Sequence, residues 1–456
     1  MAMNQEAQFP ASALPAAAPS RRTTLAYRAL VLFSLIYFLR PEDFIPGMVY
    51  IPLGKIAGGI ALAALIFGIR RKDRGKMPLE GKILLALLVQ LMLTIPFAYW
   101  RGGAADTIIN KFSKGVIIAL LISLVVTKMS DLRKLLFIQA GSVTLVTIAS
   151  LIVHHTQDGR LMGIQKGILE NPNDLAINIA INFPLCMAFL FAAKGGLRKA
   201  MWAIGLIVLM YGVVATYSRS GMIAMMMTAL ICLWEFGVKG RRFMLLASTA
   251  ILGVLAVAGL VASPKYMARM ASLIRRPAAG SMEEGSMEAH GEGSLEARSQ
   301  LLKESLSLMV HHPIFGIGPG NFPAITREWH VAHNTYTELG AEGGVPALAL
   351  FLALLICSMR RIRSVRKLPG YAQDASIRLW TAGLWAGIAG YVAGALFAST
   401  EYNLFPYFMV GYICSLYEIA RRPAEETGAG GTQLQNGNQE ELGYGGSTER
   451  ELAWTR

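Results

Sequence analysis

The chain has 456 residues, 54% hydrophobic and only 16% charged, and a soluble domain of that length carries more charge. Its formal charge of +14 would suit a nucleic-acid binder, but the Lys and Arg cluster in short loops between apolar runs, the pattern that orients membrane helices. The apolar runs are about 17 to 22 residues long, enough for a helix to cross the hydrocarbon core, so the fold class expected is an all-α, polytopic membrane protein of about twelve transmembrane helices with one long loop.

In chain order, residues 1–24 are rich in Ala and Pro, lack the charged and apolar regions of a signal peptide, and read as a disordered cytoplasmic tail. Nine helices are expected within 25–262, near 25–39, 50–69, 83–100, 108–127, 133–153, 173–193, 199–217, 220–237 and 243–262. The fourth carries Lys111 and Lys114 in its first turns, where they snorkel to the surface or face a polar cavity. Residues 263–332 form the long loop. Three more helices follow within 333–420, near 333–357, 377–398 and 402–420, and 421–456 is a Gly-, Gln-, Asn- and Glu-rich tail expected to be disordered. The cysteines, Cys186, Cys232, Cys357 and Cys414, all fall in apolar spans and look like small core residues.

Basic residues sit in alternate loops: Arg70, Arg71, Lys72, Arg74, Lys76 and Lys82; Lys128, Arg133 and Lys134; Lys194, Arg198 and Lys199; Lys239, Arg241 and Arg242; Arg360, Arg361, Arg363, Arg366 and Lys367; Arg421 and Arg422. The positive-inside rule makes that side the cytoplasm, puts both termini there, and turns the long loop outward. Within the loop, Ser263 to Arg276 is basic and partly amphipathic. Gly280 to Ala297 is a Gly/Ser/Met/Glu tract that reads as flexible, Arg298 to Val310 has helical spacing, and His312–Phe322 (HPIFGIGPGNF) is a turn punctuated by Gly and Pro.

The chemistry-bearing residues fall on the outward side. Arg160 precedes Asn171-Pro172-Asn173-Asp174, where Asn173 or Asp174 can cap the sixth helix, and capping alone accounts for Asn171 to Asp174 as well as substrate binding does. Tyr217-Ser218-Arg219-Ser220-Gly221 sets one Arg between the hydroxyls of Ser218 and Ser220 at the membrane edge. A guanidinium so placed suits a phosphate, while simple interfacial snorkelling is the alternative. Arg298 opens the helical piece of the loop. His333 begins the run His333-Asn334-Thr335-Tyr336-Thr337-Glu338, where water gives way to membrane and ionisable groups are costly unless used or paired. Its bland reading is a capping or hydrogen-bonding role. Glu338 lies one turn beyond Asn334 and can pair with it or orient a substrate. The doublet His311-His312 completes no metal-ligand spacing, so neither a metal nor a cofactor is expected. Gly340, Gly343 and Gly344 would allow close helix approach.

Three stretches together, GRLMGIQKGILENPNDLA, TYSRSG, and HPIFGIGPGNF followed by HNTYTELGAEGGVPALALF, resemble the O-antigen ligase family and its polymerase relatives. The similarity spans Arg160 to Phe351, about 40% of the chain. It implies a glycosyltransferase C-like fold and a glycan donor on undecaprenyl pyrophosphate. It also implies transfer to an acceptor sugar, lipid A–core oligosaccharide in a ligase, at the periplasmic face of a bacterial inner membrane. Arg219 and Arg298 match the family's arginines, and His333 matches the histidine proposed as catalytic. The acidic insert Gly280–Ala297 departs from the family pattern. On their own terms these residues fit a metal-independent, inverting displacement: arginines stabilise the departing pyrophosphate, a neutral imidazole takes the acceptor proton, and Arg160 is a further candidate for the same anion. A glycan polymerase or a protein O-glycosylation ligase would use the same groups. A small-anion transporter, for bicarbonate for example, is the alternative from another class, and it would place its ionisable residues near the membrane midplane.

Overall fold

The computed structural model describes residues 21–41, 50–67, 77–154, 156–157, 159–163, 171–242, 287–326 and 331–421. The expected ninth helix at 243–262, the loop up to 286, the first twenty residues and the tail from 422 lie outside the described residues. The described chain is helical except for a hairpin of two-residue strands, β1 (Thr156–Gln157) and β2 (Arg160–Leu161), paired antiparallel.

The helices are α1 (Arg21–Leu39), α2 (Leu53–Phe67), α3 (Leu79–Thr94), α4 (Arg101–Val125), α5 (Met129–Val153), α6 (Pro172–Ala192), α7 (Gly196–Ala215) and α8 (Arg219–Val238). After them come α9 (Met287–His311), the short α10 (Phe322–Ile325), α11 (Thr335–Val365), α12 (Pro369–Gln373), α13 (Ala375–Gly394) and α14 (Phe405–Arg421). Among the described residues seven helices are long and apolar enough to cross a membrane, and the protein is an all-α, polytopic membrane protein.

Burial separates the helices into an inner and an outer set. In α6, 83% of the most apolar window is buried, against 22% in α7, so α6 is the axis and α7 turns most of its surface outward. Helix α6 packs on α5, α7, α8 and α13. The α13 contact is close because Gly383 and Gly387 face α6 carbonyls: a methyl on them would stand 3.3 Å from the Pro184 oxygen and 3.1 Å from the Ile181 oxygen, the small-residue packing typical of membrane helices. Helix α14 lies against α4 and α11, and α11 against α3.

Several boundaries move from those expected. Helix α4 begins at Arg101 rather than near 108 and passes through a π-turn at Ile108–Phe112. Lys111 is exposed there, and the stem of Lys114 lies along Gly58 of α2. The tract expected to be flexible is helical from Met287 onward, as the first part of α9. Helix α11 starts after His333, because the Asn334 side chain accepts from the amides of Tyr336 and Thr337 at 3.0 and 3.2 Å and so fixes the cap at Asn334.

Helix α11 is broken inside. Gly344 adopts φ 77°, ψ 172°, a conformation that glycine alone enters readily, and Pro346 has no N–H to offer. The carbonyls and amides released by the break are taken up by the Gly/Pro turn. Ile317 N–H donates to the Ala341 oxygen, Gly318 N–H to the Glu342 oxygen, both at 2.9 Å, and Val345 N–H reaches the Pro313 oxygen at 2.8 Å. From α3, Gln90 Nε2 donates to the oxygens of Ile314 and Gly343. The turn therefore completes the helix, which is how buried backbone at membrane depth must be satisfied.

Candidate functional site

The turn between α7 and α8 is three residues long, Thr216–Ser218, and is built from side-chain bonds. Thr216 Oγ1 accepts from the Ser218 amide. Ser218 caps α8 by accepting from Gly221 N–H at 3.1 Å. The Ser218 hydroxyl also donates to Asn173 Oδ1 at 2.7 Å and lies 2.9 Å from the Ser220 hydroxyl. Arg160, on β2, closes the group: its Nε donates to the Thr216 oxygen at 3.0 Å and its Nη2 to Asn173 Oδ1 at 3.1 Å. Asn171, not the expected Asn173 or Asp174, caps α6 by accepting from the Asn173 amide, because Pro172 already opens the helix. Sequence positions far apart, Arg160, Asn171, Asn173, Ser218 and Ser220, thus form one network. Asn173, Ser218 and Ser220 are buried, so their polar atoms hold the turn. Arg219 is the first residue of α8 and half-buried.

His333 stands in an equivalent position before α11. Tyr217 and His333 both have positive φ, 47° and 54°, and each directly precedes a helix cap, Ser218 or Asn334. A non-glycine residue in the left-handed region is uncommon and is held only where its surroundings determine it. For His333 the restraints are explicit. On one side Ala332 N–H donates to Glu338 Oε2 at 2.8 Å. On the other, Thr335 N–H is shared between the oxygens of Ala395 and Ala398, and the Thr335 hydroxyl donates to Ala398 at 2.6 Å. His333 is half-buried.

The same end of the bundle holds both turns. Near the start of α8, Ala224 packs on Gly394, at the end of α13, and that end also carries the Ala395 and Ala398 oxygens that anchor α11. Arg298, half-buried on α9, lies one turn before Leu301, which joins Ile317, Phe322, Ala332 and Ala341 in a small apolar cluster. Arg219, Arg298 and His333 are therefore carried on elements that meet at one end of the molecule, called here the hairpin end.

Behind His333 lies a group that the sequence reading did not assemble. Glu338 and Glu342, one turn apart on α11, meet Glu401 from the segment joining α13 and α14, with one oxygen of each within 4.8 Å of the others. All three are buried. Glu342 accepts from Gly320 N–H at 2.7 Å, Phe322 N–H at 2.8 Å and the Tyr402 hydroxyl at 2.7 Å. Glu338 accepts from Ala332 N–H and from the Ser399 hydroxyl. It holds the backbone beside His333, while the Asn334 side chain is engaged in capping. Burial, and then the charges of Glu338 and Glu342, push the Glu401 carboxyl well above the usual carboxylate range. The visible signal for this group was a pair of carboxylates four apart at the head of an apolar run. Glu401 carried none, because nothing local marks an acid between two apolar helices as facing inward.

Among families of known proteins, the one described as O-antigen ligase matches residues 204–352, from α7 to the middle of α11. The match contains the Arg219 turn, Arg298, the Gly/Pro turn and His333, and it supports the resemblance read from the motifs. No curated protein matches the chain.

Proposed function

We propose that this protein is a glycosyltransferase of the O-antigen ligase type. It moves a glycan from undecaprenyl pyrophosphate to an acceptor sugar, lipid A–core oligosaccharide, at the periplasmic face of a bacterial inner membrane. The hairpin end faces the periplasm and both termini the cytoplasm, because the basic loops gather at the opposite end.

The observation that carries this reading is the matched pair of strained turns, Tyr217–Arg219 and His333–Thr335, fixed at one end of the bundle inside the family-matched segment. In the reaction, Arg219 and Arg298 grip the pyrophosphate and stabilise the charge that builds as it leaves. His333, held in one backbone conformation from both sides, takes the proton of the attacking acceptor hydroxyl. A single displacement of this kind inverts the anomeric centre. Arg160 acts with Asn173 and Ser218 to set the angle of the Arg219 turn and is a further candidate for binding the same anion. The chemistry needs no metal, since guanidinium groups supply the positive charge.

The test is transfer by purified protein from a defined undecaprenyl-pyrophosphate glycan, with and without lipid A–core. Acceptor-dependent transfer, lost in His333→Ala and Arg219→Ala proteins that still fold, supports the assignment. Transfer that persists in His333→Ala removes the base. Elongation of the lipid-linked glycan without lipid A–core would instead make the protein a polymerase using the same residues.

A further inference from the structure

The three carboxylates at the foot of the His333 turn do not use their negative charge in the reaction proposed above. One oxygen each from Glu338, Glu342 and Glu401 lies within 4.8 Å of the other two. Charges so close and out of water repel strongly unless protons or a cation intervene. Hydrogen-bond donors already serve two of them: backbone amides and the Tyr402 phenol for Glu342, an amide and the Ser399 hydroxyl for Glu338. On Glu401 the Thr335 side chain also acts, but one oxygen is left over. Glu401 is 3% exposed, and its Oε2 is buried with no hydrogen-bond partner. Buried polar atoms are almost always paired, and an ionised carboxylate only accepts. An orphaned acceptor beside two further acceptors lacks a cation or a donor at that point. Lys111 of α4 acts on Glu342, a single cation beside three carboxyl groups.

We propose that Glu338, Glu342 and Glu401 form a binding site for a calcium-like divalent cation, which ties the head of α11 to the segment joining α13 and α14. Oxygen-only ligation selects a hard cation. Oxygens that all lie within 4.8 Å of one another can share one ion at the Ca–O distance of roughly 2.4 Å, and calcium accepts an irregular ligand set, whereas magnesium demands near-ideal octahedral ligands at about 2.1 Å. The role is structural: the cation steadies Glu338, which holds the peptide next to His333. The site stands whether or not the chain transfers glycans, because it follows from the carboxylates alone.

The experiment uses the full chain in detergent, stripped with chelator and then given Ca2+, Mg2+ or Tb3+ alone. The Tyr402 hydroxyl lies 2.7 Å from Glu342 Oε2, so excitation of tyrosine should sensitise luminescence of Tb3+ bound in the site. Expected are saturable Tb3+ emission displaced by Ca2+ and far less by Mg2+, and a melting temperature raised by Ca2+. In Glu401→Gln, Tb3+ binding should weaken by about tenfold or more, since affinity follows the number of charged ligands. Glu418→Gln, at the other end of α14, should bind as the wild type does. If Glu401→Gln does not fold, Tyr402→Phe serves: its sensitised emission should fall while the Ca2+ stabilisation remains. Absence of both emission and Ca2+ stabilisation in the wild type overturns the site and assigns the three carboxylates shared protons. An unchanged response in folded Glu401→Gln, or in Tyr402→Phe emission, overturns it equally.

Discussion

The two ends of the bundle treat buried carboxylates in opposite ways. At the basic end, Glu80 of α3 meets Arg361 Nε at 2.6 Å and Glu235 of α8 meets Arg366 Nη2 at 2.8 Å. Both arginines lie near the end of α11, so these pairs lock its last turns to two other helices. At the hairpin end, Glu342 and Glu338 are spent on amides and hydroxyls of the turns around them. Charge pairs at the first end join helix to helix. At the second, carboxylates shape backbone, and the backbone they shape is the stretch that bears His333. One end is therefore built for rigidity of the bundle, and the other for the geometry of short loops.

The contrast breaks most sharply on activity. His333→Ala should lower transfer by about 10²- to 10⁴-fold, the range for removing a general base, with yield and melting temperature near wild type. Glu235→Gln should do the reverse, lowering stability while leaving the rate per folded molecule unchanged. Single-turnover transfer beside thermal unfolding in detergent separates the two. A folded Glu235→Gln protein with lost chemistry would show that the ends are coupled.

Next in size is Glu80→Gln. Glu80 is buried, its partner Arg361 is mostly buried and also lies over the Tyr417 ring, and removing one member of such a pair leaves the other charge uncompensated. The expected loss is about 3 kcal/mol, read as a lower melting temperature. Gly344→Ala follows, at about 2 kcal/mol. Its φ of 77° suits glycine, and an added methyl would press on the Ile314 carbonyl of the Gly/Pro turn. That variant should also reduce transfer, because the turn it displaces supplies the Gly320 and Phe322 amides to Glu342. A melting loss without any loss of rate would show that the break in α11 serves folding alone.

Helices and turns differ in how far they could be read from the chain. Apolar run length places the helices well, since a span needs only enough apolar residues to cross a bilayer; α5, α6 and α7 lie within a few residues of expectation. Helix starts were legible to within a few residues where capping residues cluster, as at Asn171–Asp174 for α6, but the cap itself was not: it is Asn171 rather than Asn173 or Asp174, and α11 is headed by Asn334 rather than His333. The bond between Arg160 and Asn173 joins β2 to the first turn of α6, and the meeting of Glu342 with Glu401 depends on how α11, α13 and α14 pack. Such pairings are products of tertiary structure, and no local period or spacing encodes them. The break at Gly344 was not legible: its glycines read as close-packing residues, and the Gly/Pro turn that takes up the freed backbone groups lies earlier in the chain.

The smallest expected effect gives the cleanest comparison, because it uses one kind of interaction at both ends. Asn334 caps α11 through the amides of Tyr336 and Thr337, and Asp374 caps α13 through the amide of Ser376 at 2.7 Å. Replacing either by Ala removes a side-chain cap, which costs about 1 kcal/mol, so the two variants should melt at similar temperatures. Their transfer rates should diverge. At Asp374 the freed amide faces the basic end, with no route to the hairpin end except through the whole length of α13. At Asn334 the lost bonds loosen the first turn of α11 next to His333, while the Ala332–Glu338 bond and the Thr335 bonds to Ala395 and Ala398 remain. The imidazole then samples more positions, and the rate should drop several-fold with little change in apparent acceptor affinity. Equal rates in the two variants would mean that the Glu338 and Thr335 anchors are enough to set His333 without the cap.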